Sequence, residues 1–587
     1  MSYKTGMFDS EKLISATEGS IKQFVVLVRH FFQRLFLNDI VSFEEQMKAK
    51  VVVAIVFIAV FCAHLSNVLL FKYLFMPDKG SSWLEKNYFI SFVMVIMGFI
   101  SVLEWEVIFP DARDYFNLTP LPLKLRNIFA AKFTSLCLFI GMFILGSNAV
   151  SAFIFWLYLA RWKSSSPIFG LRLVFSHLAS VSVAGFSVFF FIALIIGILM
   201  LLLGYRLFAA VSVFIRALFM IGFVFVMFFF VSESLTASHS LTFFAALKEN
   251  NSHLIYFFPP MWFTGLYEIL LGNHDPVFAN LALISLLAVI TAVTSFFFIG
   301  LETYRRYLRK MHEARKKTPS FLKLKSFSQG LFNTLFLKNP VQRAIFYFFS
   351  KTLKESMPHK MRLVSYVVFP LGAILILLFT KLGTHEFFFR INVPLLTIPL
   401  VMHLFLLIGL RSVINIPLAL EANWIFRLTE KKIKKDYFLG LRKGIFFFTL
   451  LPMYAFFFAV YTYLWGLESA FLHSIYGLII GVVTMEVLFF SYRKIPFACS
   501  YLPGKSRIQF LWLVFVFGFI FYLSFFSFIE FNLFKNPSWF LIFFAIMALA
   551  VVGIEIFQRH FLLEKLKILY EETPEPVMVT LVGYEPL

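Results

Sequence analysis

The chain has 587 residues, of which 60% are hydrophobic and 14% are charged, and its formal net charge is +21. A soluble protein has roughly 45–50% apolar and about 25% charged residues, so this composition excludes a soluble globular domain and makes lipid the solvent for much of the surface. The basic residues cluster in alternate loops between apolar runs. This distribution is typical of a polytopic membrane protein and argues against nucleic acid as a partner.

The first predicted element is an amphipathic helix from Ile21 to Phe36, ahead of the first apolar run. Lys22, Arg29 and Arg34 occupy its polar positions, and its apolar face is formed by Phe24, Val28, Phe31, Phe32 and Leu35. Such a helix suits the cytoplasmic interface, where basic residues meet anionic headgroups. An ordinary helix docked on the membrane bundle before the first span has the same pattern, so both descriptions stay open.

Twelve apolar runs reach the length of about 20 residues that a spanning helix needs, which predicts an all-α polytopic fold. They begin near Val51, Phe89, Ile128, Leu171, Val211 and Phe278, and then near Leu363, Val393, Gly444, Ala470, Phe510 and Trp539. Two runs leave alternatives open. Residues 128–162 form either one long helix or a helix with a re-entrant piece, and residues 171–203 exceed one crossing.

The runs divide into two halves of six spans, which favours a duplicated architecture. The similar motifs Leu35–Asp39 and Leu335–Asn339 precede the first span of each half. The predicted organisation is a cytoplasmic N-terminus with the amphipathic helix (1–50), a first six-span half (51–300), a basic linker with a second interfacial segment (301–362), a diverged second half (363–557) and a cytoplasmic tail (558–587).

Orientation follows from the positions of Lys and Arg near the ends of the spans. Basic residues are dense in residues 304–362, 427–443 and 493–507, whereas residues 232–275 contain one Lys and no Arg. The first three segments are therefore predicted to be cytoplasmic, together with both termini.

The loop between spans two and three, Phe109–Asn127, is polar, rich in proline and predicted to be cytoplasmic. Pro120 and Pro122 fix their backbone φ angles and stiffen it, and Lys124 and Arg126 form a basic exit into the third span. A stiff loop joined directly to two spans would transmit the movement of a bound partner into the bilayer. The alternative is a well-folded loop that has no partner.

Between spans five and six, a predicted external segment begins at Pro259 and ends near Gly272. Its aromatic and apolar residues have helical spacing, and Trp and Tyr favour the membrane interface. We therefore expect short helices that dip into the outer leaflet, with Pro259, Pro260, Trp262, Phe263 and Tyr267 as their marker residues. A cap without contact to cargo is the alternative.

Ionisable residues within the apolar runs are candidate functional residues because burying them in lipid is costly. These candidates are Glu486, Glu555, His64, His177, His403 and Arg216. For the glutamates and histidines, hydrogen bonds between packed helices are the alternative to proton relays. No spacing predicts a metal site or a catalytic group. Cys499 stands where a phosphate-binding loop ending in Gly504-Lys505-Ser506 would need glycine, so the sequence contains no recognisable ATPase.

Residues 115–123, YFNLTPLPL, followed by Arg126, Ile128-Phe129 and Lys132, resemble the segment between spans two and three of type-2 ATP-binding-cassette (ABC) exporter permeases. In that family this segment is a coupling helix that docks on a separate ATPase. The resemblance covers about residues 20–300 and includes the amphipathic helix and the external short helices. It assigns partner coupling to Thr119, Pro120, Leu121, Pro122, Leu123, Lys124 and Arg126.

The resemblance implies a non-enzymatic permease subunit of a bacterial inner (plasma) membrane, with no cofactor in this chain and with ATP and Mg²⁺ on the partner. One chain would supply both halves, as a monomeric permease. The second half departs from the pattern, since it lacks the Leu-Pro-Leu signature and its last loop, near Glu530 to Ser538, is too short for dipping helices. Two alternatives remain, namely a secondary transporter or channel and a membrane-embedded enzyme acting on lipid-linked substrates.

Overall fold

The computed structural model describes residues 21–33, 35, 44–75, 82–105, 118, 120–121, 123–160, 167–236, 239–250, 252–311, 330, 332–418, 423–430, 435–490, 492, 494–498 and 512–557. Most of these residues are helical and none of them is in a strand, and they include twelve helical segments long and apolar enough to cross a membrane. The predicted all-α, multi-pass fold is therefore confirmed. The chain forms two compact units, Met1–Thr318 and Pro319–Leu587. The termini and much of the basic linker lie outside the described residues, so the topology stays a prediction.

The first unit begins with helix α1, over residues 21–33. It continues with α2 (Glu44–Leu70), a 3₁₀ turn (Phe71–Leu74), α3 (Trp83–Leu103), α4 (Leu125–Leu159), α5 (Pro167–Thr236), α6 (His239–Glu249), a second 3₁₀ turn (His253–Phe257), α7 (Pro259–Leu271) and α8 (Pro276–Met311). Of the two alternatives for residues 128–162, the structure has the single long helix, α4. Spans one to three correspond to α2, α3 and α4, and span six to α8.

Helix α5 contains both the fourth and the fifth span. Phe89 on α3 lies 5.1 Å from the His177 ring, and its neighbour Tyr88 lies 4.8 Å from the Phe230 ring, measured between ring centroids. A straight helix rises about 1.5 Å per residue and would separate His177 from Phe230 by roughly 80 Å. The helical chain therefore reverses direction between these two contacts, and its two legs pack on the same part of α3.

The second unit begins with helix α9 (Pro340–Glu355) and α10 (Met357–Lys381). It continues with α11 (His385–Phe389), α12 (Val393–Val413), α13 (Asn423–Leu428), α14 (Lys435–Ile445), a π turn (Phe446–Leu450), α15 (Leu451–Trp465), α16 (Leu467–Leu488), α17 (Trp512–Lys535) and α18 (Trp539–Phe557). The π turn directly precedes Pro452, which has no N–H to donate and whose ring crowds the preceding turn. Helices α14 and α15 together form the ninth span.

Helix α9 corresponds to the predicted second interfacial segment and packs against α14. A Cβ atom on Gly440 would lie 2.7 Å from the Gln342 carbonyl oxygen, so only glycine permits this close approach of the two backbones. The Gln342 amide also donates to the Asp436 carboxylate at 2.7 Å. The segment is thus anchored on the start of the ninth span.

The two units pair their spans in a similar order. In the first, α3 packs on both legs of α5, and α4 and α8 also pack on α5. In the second, α12 packs on α16 and α17, and α15 and α18 pack on α16. The first span differs, because α2 packs mainly on α4 whereas α10 packs on α12. The common pattern supports the duplicated architecture, which stays a prediction.

Candidate functional site

The Pro-Leu stretch before α4 presents an apolar side chain beside two basic ones. The Leu121 side chain is 49% exposed, and Pro120, Lys124 and Arg126 are exposed as well, while Leu123 is half-buried. The Leu121 N–H donates to the Leu118 carbonyl at 3.2 Å, and the Leu123 N–H donates to the Leu121 carbonyl at 2.7 Å. Thr119 and Pro122 lie outside the described residues, as do residues 106–117.

Helix α1 is docked on the first unit near the start of α4. Its most buried residues are Leu27, Phe31 and Leu35, spaced four residues apart on one face. The Lys132 ammonium lies 5.8 Å from the centroid of the Phe31 ring. Phe24 and Val28, predicted on the apolar face, are only half-buried.

The short helix predicted after Pro259 is present as α7. Pro259 and Pro260 occupy its first turn, where a backbone N–H is not needed. Gly272 ends the helix with a φ of 99°, in the left-handed region that favours glycine. Phe263 and Tyr267 are fully buried, and the Trp262 indole donates to the Tyr256 carbonyl at 2.7 Å. Insertion of α7 into a leaflet stays a prediction.

A buried ion pair joins α7 to the start of α3. The Lys86 ammonium lies 2.7 Å from the Glu268 carboxylate, and the two side chains are only 2% and 8% exposed. Asn273 donates to the other oxygen of Glu268 at 3.1 Å, and the Lys86 ammonium lies 4.8 Å from the centroid of the Tyr267 ring. A buried ion pair is stable only when the remaining hydrogen-bonding positions of both groups are also occupied. Here the Asn273 amide and the Tyr267 ring occupy some of these positions.

From this pair, polar contacts continue toward α5 and α4. The Tyr267 hydroxyl lies 3.5 Å from Nδ1 of His177, and Nε2 of His177 lies 3.1 Å from the Ser151 hydroxyl. Burial, together with the Glu268 carboxylate, raises the pKa of Tyr267 well above its ordinary value. Tyr267 is therefore a neutral phenol.

Tyr267 and His177 were named as candidates from the sequence, but Glu85, Lys86 and Asn87 were missed, because the second span was predicted to begin near Phe89. Helix α3 begins at Trp83, so Glu85, Lys86 and Asn87 lie inside the span. Glu85 accepts from Tyr73 at 3.0 Å and pairs with Lys72 at 2.5 Å. In the sequence, these residues could have been recognised as three consecutive polar positions at the start of an apolar run.

In the second unit, His403 links three helices in the apolar interior. Its Nδ1 lies 2.7 Å from the Tyr454 hydroxyl on α15, and its Nε2 lies 2.6 Å from the Tyr522 hydroxyl on α17. The Tyr522 hydroxyl also lies 2.8 Å from the Thr484 hydroxyl on α16. The network therefore joins α12, α15, α16 and α17.

Two of the predicted acidic candidates share one basic residue. The Glu486 carboxylate on α16 pairs with the Arg442 guanidinium on α14 at 2.9 Å. Glu555 on α18 also interacts electrostatically with Arg442. The candidate Arg216 is buried on the second leg of α5 and belongs to the other unit.

A second buried pair of the second unit was not predicted. Nδ1 of His473 on α16 lies 2.6 Å from Oε1 of Glu530 on α17, and the side chains are 1% and 0% exposed. The sequence had placed Glu530 in the last loop, but α17 continues to Lys535, so this residue lies within the helix. In the sequence, Glu530 could have been recognised only as a single acidic residue within a segment rich in phenylalanine.

Among the described residues, no group of three or more His, Cys, Asp or Glu is placed to hold a metal ion. The geometry thus offers one exposed surface stretch and several polar networks within the helical bundle of each unit. No protein-family model, no curated protein and no solved structure matches this chain.

Proposed function

We propose that this chain is the membrane subunit of an exporter driven by a separate ABC ATPase, in a bacterial inner membrane. The observation that carries the proposal is the exposed Leu121 side chain, flanked by exposed Lys124 and Arg126 at the start of α4. An apolar side chain rimmed by basic ones suits a protein partner that offers an apolar notch with acidic edges. ATP and Mg²⁺ would bind to that partner.

The helices on either side of this stretch provide a mechanical route into the bundle. Helix α4 has 35 residues and follows the stretch directly, so it is a rod of about 52 Å. Helix α3 ends before the stretch, and its opposite end is paired with α7 through Lys86 and Glu268. A displacement of the docking stretch would therefore move α4. Since α4 packs on α3, the movement would also reach α7 through the pair of Lys86 and Glu268.

The test replaces both Leu121 and Leu123 with Asp in the full chain. Each unpaired charge placed in an apolar contact would cost about 2–5 kcal/mol of binding free energy. We expect the variant to insert normally, but to lose both the co-purifying ATPase and the stimulation of its ATP hydrolysis. The matched control carries Met at both positions and should keep both properties.

Retention of ATPase binding by the Asp variant would contradict the proposal. So would the absence of any ATPase bound to the wild-type protein isolated in mild detergent. In either case the stretch is a folded loop without a coupling role.

A secondary transporter is the second candidate, and the polar network around His403 favours it. Four helices of the second unit contribute hydroxyl or imidazole groups to that network, and buried polar groups in spans commonly line transport paths. The purified chain, reconstituted alone in vesicles, would then dissipate a pH gradient without ATP. Failure to do so removes this candidate.

A further inference from the structure

The buried pair of His473 and Glu530 has no part in the proposed docking or in its mechanical route. Both side chains are enclosed, and each keeps one polar atom without a hydrogen-bond partner among the described residues, Nε2 of His473 and Oε2 of Glu530. We propose that this pair is a proton-binding site of the second unit that holds one exchangeable proton. The inference does not depend on whether an ATPase drives the protein.

The distance between the two groups requires a shared proton. Nδ1 of His473 and Oε1 of Glu530 are 2.6 Å apart, which is the separation of a charge-assisted hydrogen bond. A neutral imidazole nitrogen without hydrogen and a bare carboxylate would repel each other at this distance. One hydrogen therefore lies between them, carried by the nitrogen or by the oxygen.

The tyrosine and tryptophan side chains described around the pair do not neutralise its charge, so the two groups must neutralise each other. On α15, the rings of Tyr461 and Trp465 lie 4.5 and 5.5 Å from the His473 ring, between centroids. The Tyr461 hydroxyl donates to the Leu395 carbonyl at 2.6 Å, and the Tyr476 hydroxyl donates to the Phe526 carbonyl at 2.8 Å. Neither hydroxyl is thus directed at the pair.

The other titratable or charged groups on the neighbouring helices are His403 and Arg411 on α12, Tyr454 and Tyr463 on α15, Glu468 and Glu486 on α16, Tyr522 and Lys535 on α17 and Glu555 on α18. Lys535 bonds to Asn532 at 3.3 Å and lies over the Phe531 ring, so its ammonium is engaged elsewhere. Among the described residues, the ionisable side chain in contact with Glu530 is that of His473, at 2.6 Å.

The number of protons bound to His473 and Glu530 sets the net charge of the pair, and only a neutral pair suits its buried site. With one dissociable proton the pair is neutral overall, either as imidazolium with carboxylate or as imidazole with carboxylic acid. Loss of that proton leaves a buried charge of −1, and gain of a second leaves a buried charge of +1. An uncompensated charge is strongly disfavoured in an apolar interior. Departure of the proton must therefore be accompanied by access of water or of another cation to Glu530.

The test uses the full chain in lipid nanodiscs and follows carboxyl and imidazole infrared bands between about pH 4 and about pH 9, which spans the ordinary pKa values of Glu and His. We expect a coupled carboxyl–histidine transition and the release of about one proton per chain. Glu530→Gln should lose the transition completely. His473→Gln should also lose it, because the imidazole is removed.

Two matched variants separate this site from other buried groups of the same unit. Glu486→Gln removes a carboxyl that is paired with Arg442, and His403→Gln removes an imidazole that lies between two tyrosines. Both should retain the transition.

If Glu530→Gln fails to fold, wild-type protein with ¹³C-labelled histidine, compared with His473→Gln, gives the same assignment. A transition that survives in Glu530→Gln, or that is lost in Glu486→Gln, overturns the proposal. A wild-type spectrum that responds to Na⁺ at constant pH, and not to pH, overturns it in favour of a sodium site. The absence of any transition shows that the pair is a static contact between helices.

Discussion

The two units differ most where their fifth span leads to their sixth. In the first unit, α6, a 3₁₀ turn and α7 lie between these spans, whereas in the second, α17 ends at Lys535 and α18 begins at Trp539. Each unit has a buried histidine on its fourth span. His177 has contacts at both ring nitrogens, one of them to Tyr267 on the inserted α7. His473 has a carboxylate from the fifth span at one nitrogen, and at the other it has no hydrogen-bond partner within the described part of the chain.

This difference shows what an inserted segment does for a polar group in a membrane bundle. Helix α7 supplies a phenol and a carboxylate that give the polar residues of α3 and α5 fixed partners. The second unit has no such segment between these spans, and its spanning helices supply the partners of its buried polar groups themselves. Buried polar atoms without a hydrogen-bond partner occur among the described residues of both units, such as Asn148 Oδ1 in the first and Glu530 Oε2 in the second. We therefore expect the polar residues around Lys86 and Glu268 to stabilise the first unit. We expect His473 and Glu530 in the second unit to bind and release a proton.

The strongest test of this comparison is Lys86→Met. The substitution leaves the Glu268 carboxylate buried without its cation, and breaking a buried pair in this way costs about 3–5 kcal/mol. Thermal unfolding in detergent should show a large loss of stability. The double variant with Met at both positions 86 and 268 is the control and should recover much of the loss, since no unpaired charge remains. Equal stability of the single and double variants would contradict a structural role for the pair.

A smaller effect is expected for Tyr267→Phe, which removes the hydroxyl but keeps the buried ring. The contact to His177 is long, at 3.5 Å, so the expected loss is about 0.5–1.5 kcal/mol in unfolding free energy. Tyr267→Ala, which also removes the ring, should cost about 3–5 kcal/mol. Similar losses in the two variants would place the role of Tyr267 in its hydroxyl and not in its packing.

The smallest expected effect is that of Asp275→Asn, at the N-terminal end of α8. Partial burial alone would raise the pKa of Asp275, but hydrogen bonds from Lys248 and from the Val277 N–H lower it below its ordinary value. Stability from this carboxylate is therefore present above the ordinary Asp pKa of about 4 and is lost as the pH falls toward the folded value. The Lys248 and Asp275 side chains are partly exposed, so solvent screens the pair and its expected contribution is about 0–1 kcal/mol.

Unfolding midpoints measured from about pH 3 to about pH 7 check this sign. The difference between wild type and Asp275→Asn should shrink as the pH falls. A difference that grows toward acid would mean that the carboxyl is destabilising when charged.

The sequence predicted the elements of the fold better than their contacts. Apolar length reveals spans because lipid requires about 20 apolar residues for each crossing, and Pro259, Pro260 and Gly272 marked both ends of α7. The predicted fourth and fifth spans are present as Pro167–Leu203 and Val211–Phe230, both within α5. The segment between Leu203 and Val211 contains one glycine and no proline, so the sequence has no strong helix breaker between the two spans.

The polar partners could not be predicted, because each residue looks isolated along the chain. Lys86 and Glu268 are 182 positions apart, and His473 and Glu530 are 57 apart. Each of these four residues lies in an apolar segment, and the residues next to it in the sequence do not indicate its partner. His403 was predicted as a candidate, but its tyrosine partners are on other helices and have no signature in the sequence. Docking of residues 119–126 on a partner would require projecting side chains, and Leu121 is exposed, but its docking role stays a proposal.

The distance in sequence between Lys86 and Glu268 has a consequence for biosynthesis. The chain is synthesised from its N-terminus at about 5–20 residues per second. Glu268 lies 182 positions after Lys86, so it is added on the order of 10–40 seconds after Lys86. During that time Lys86 can be solvated only by reaching toward water from the end of α3. The ion pair closes only after α4, α5 and the first turns of α7 have been made. Its formation therefore marks completion of most of the first unit in the newly synthesised chain.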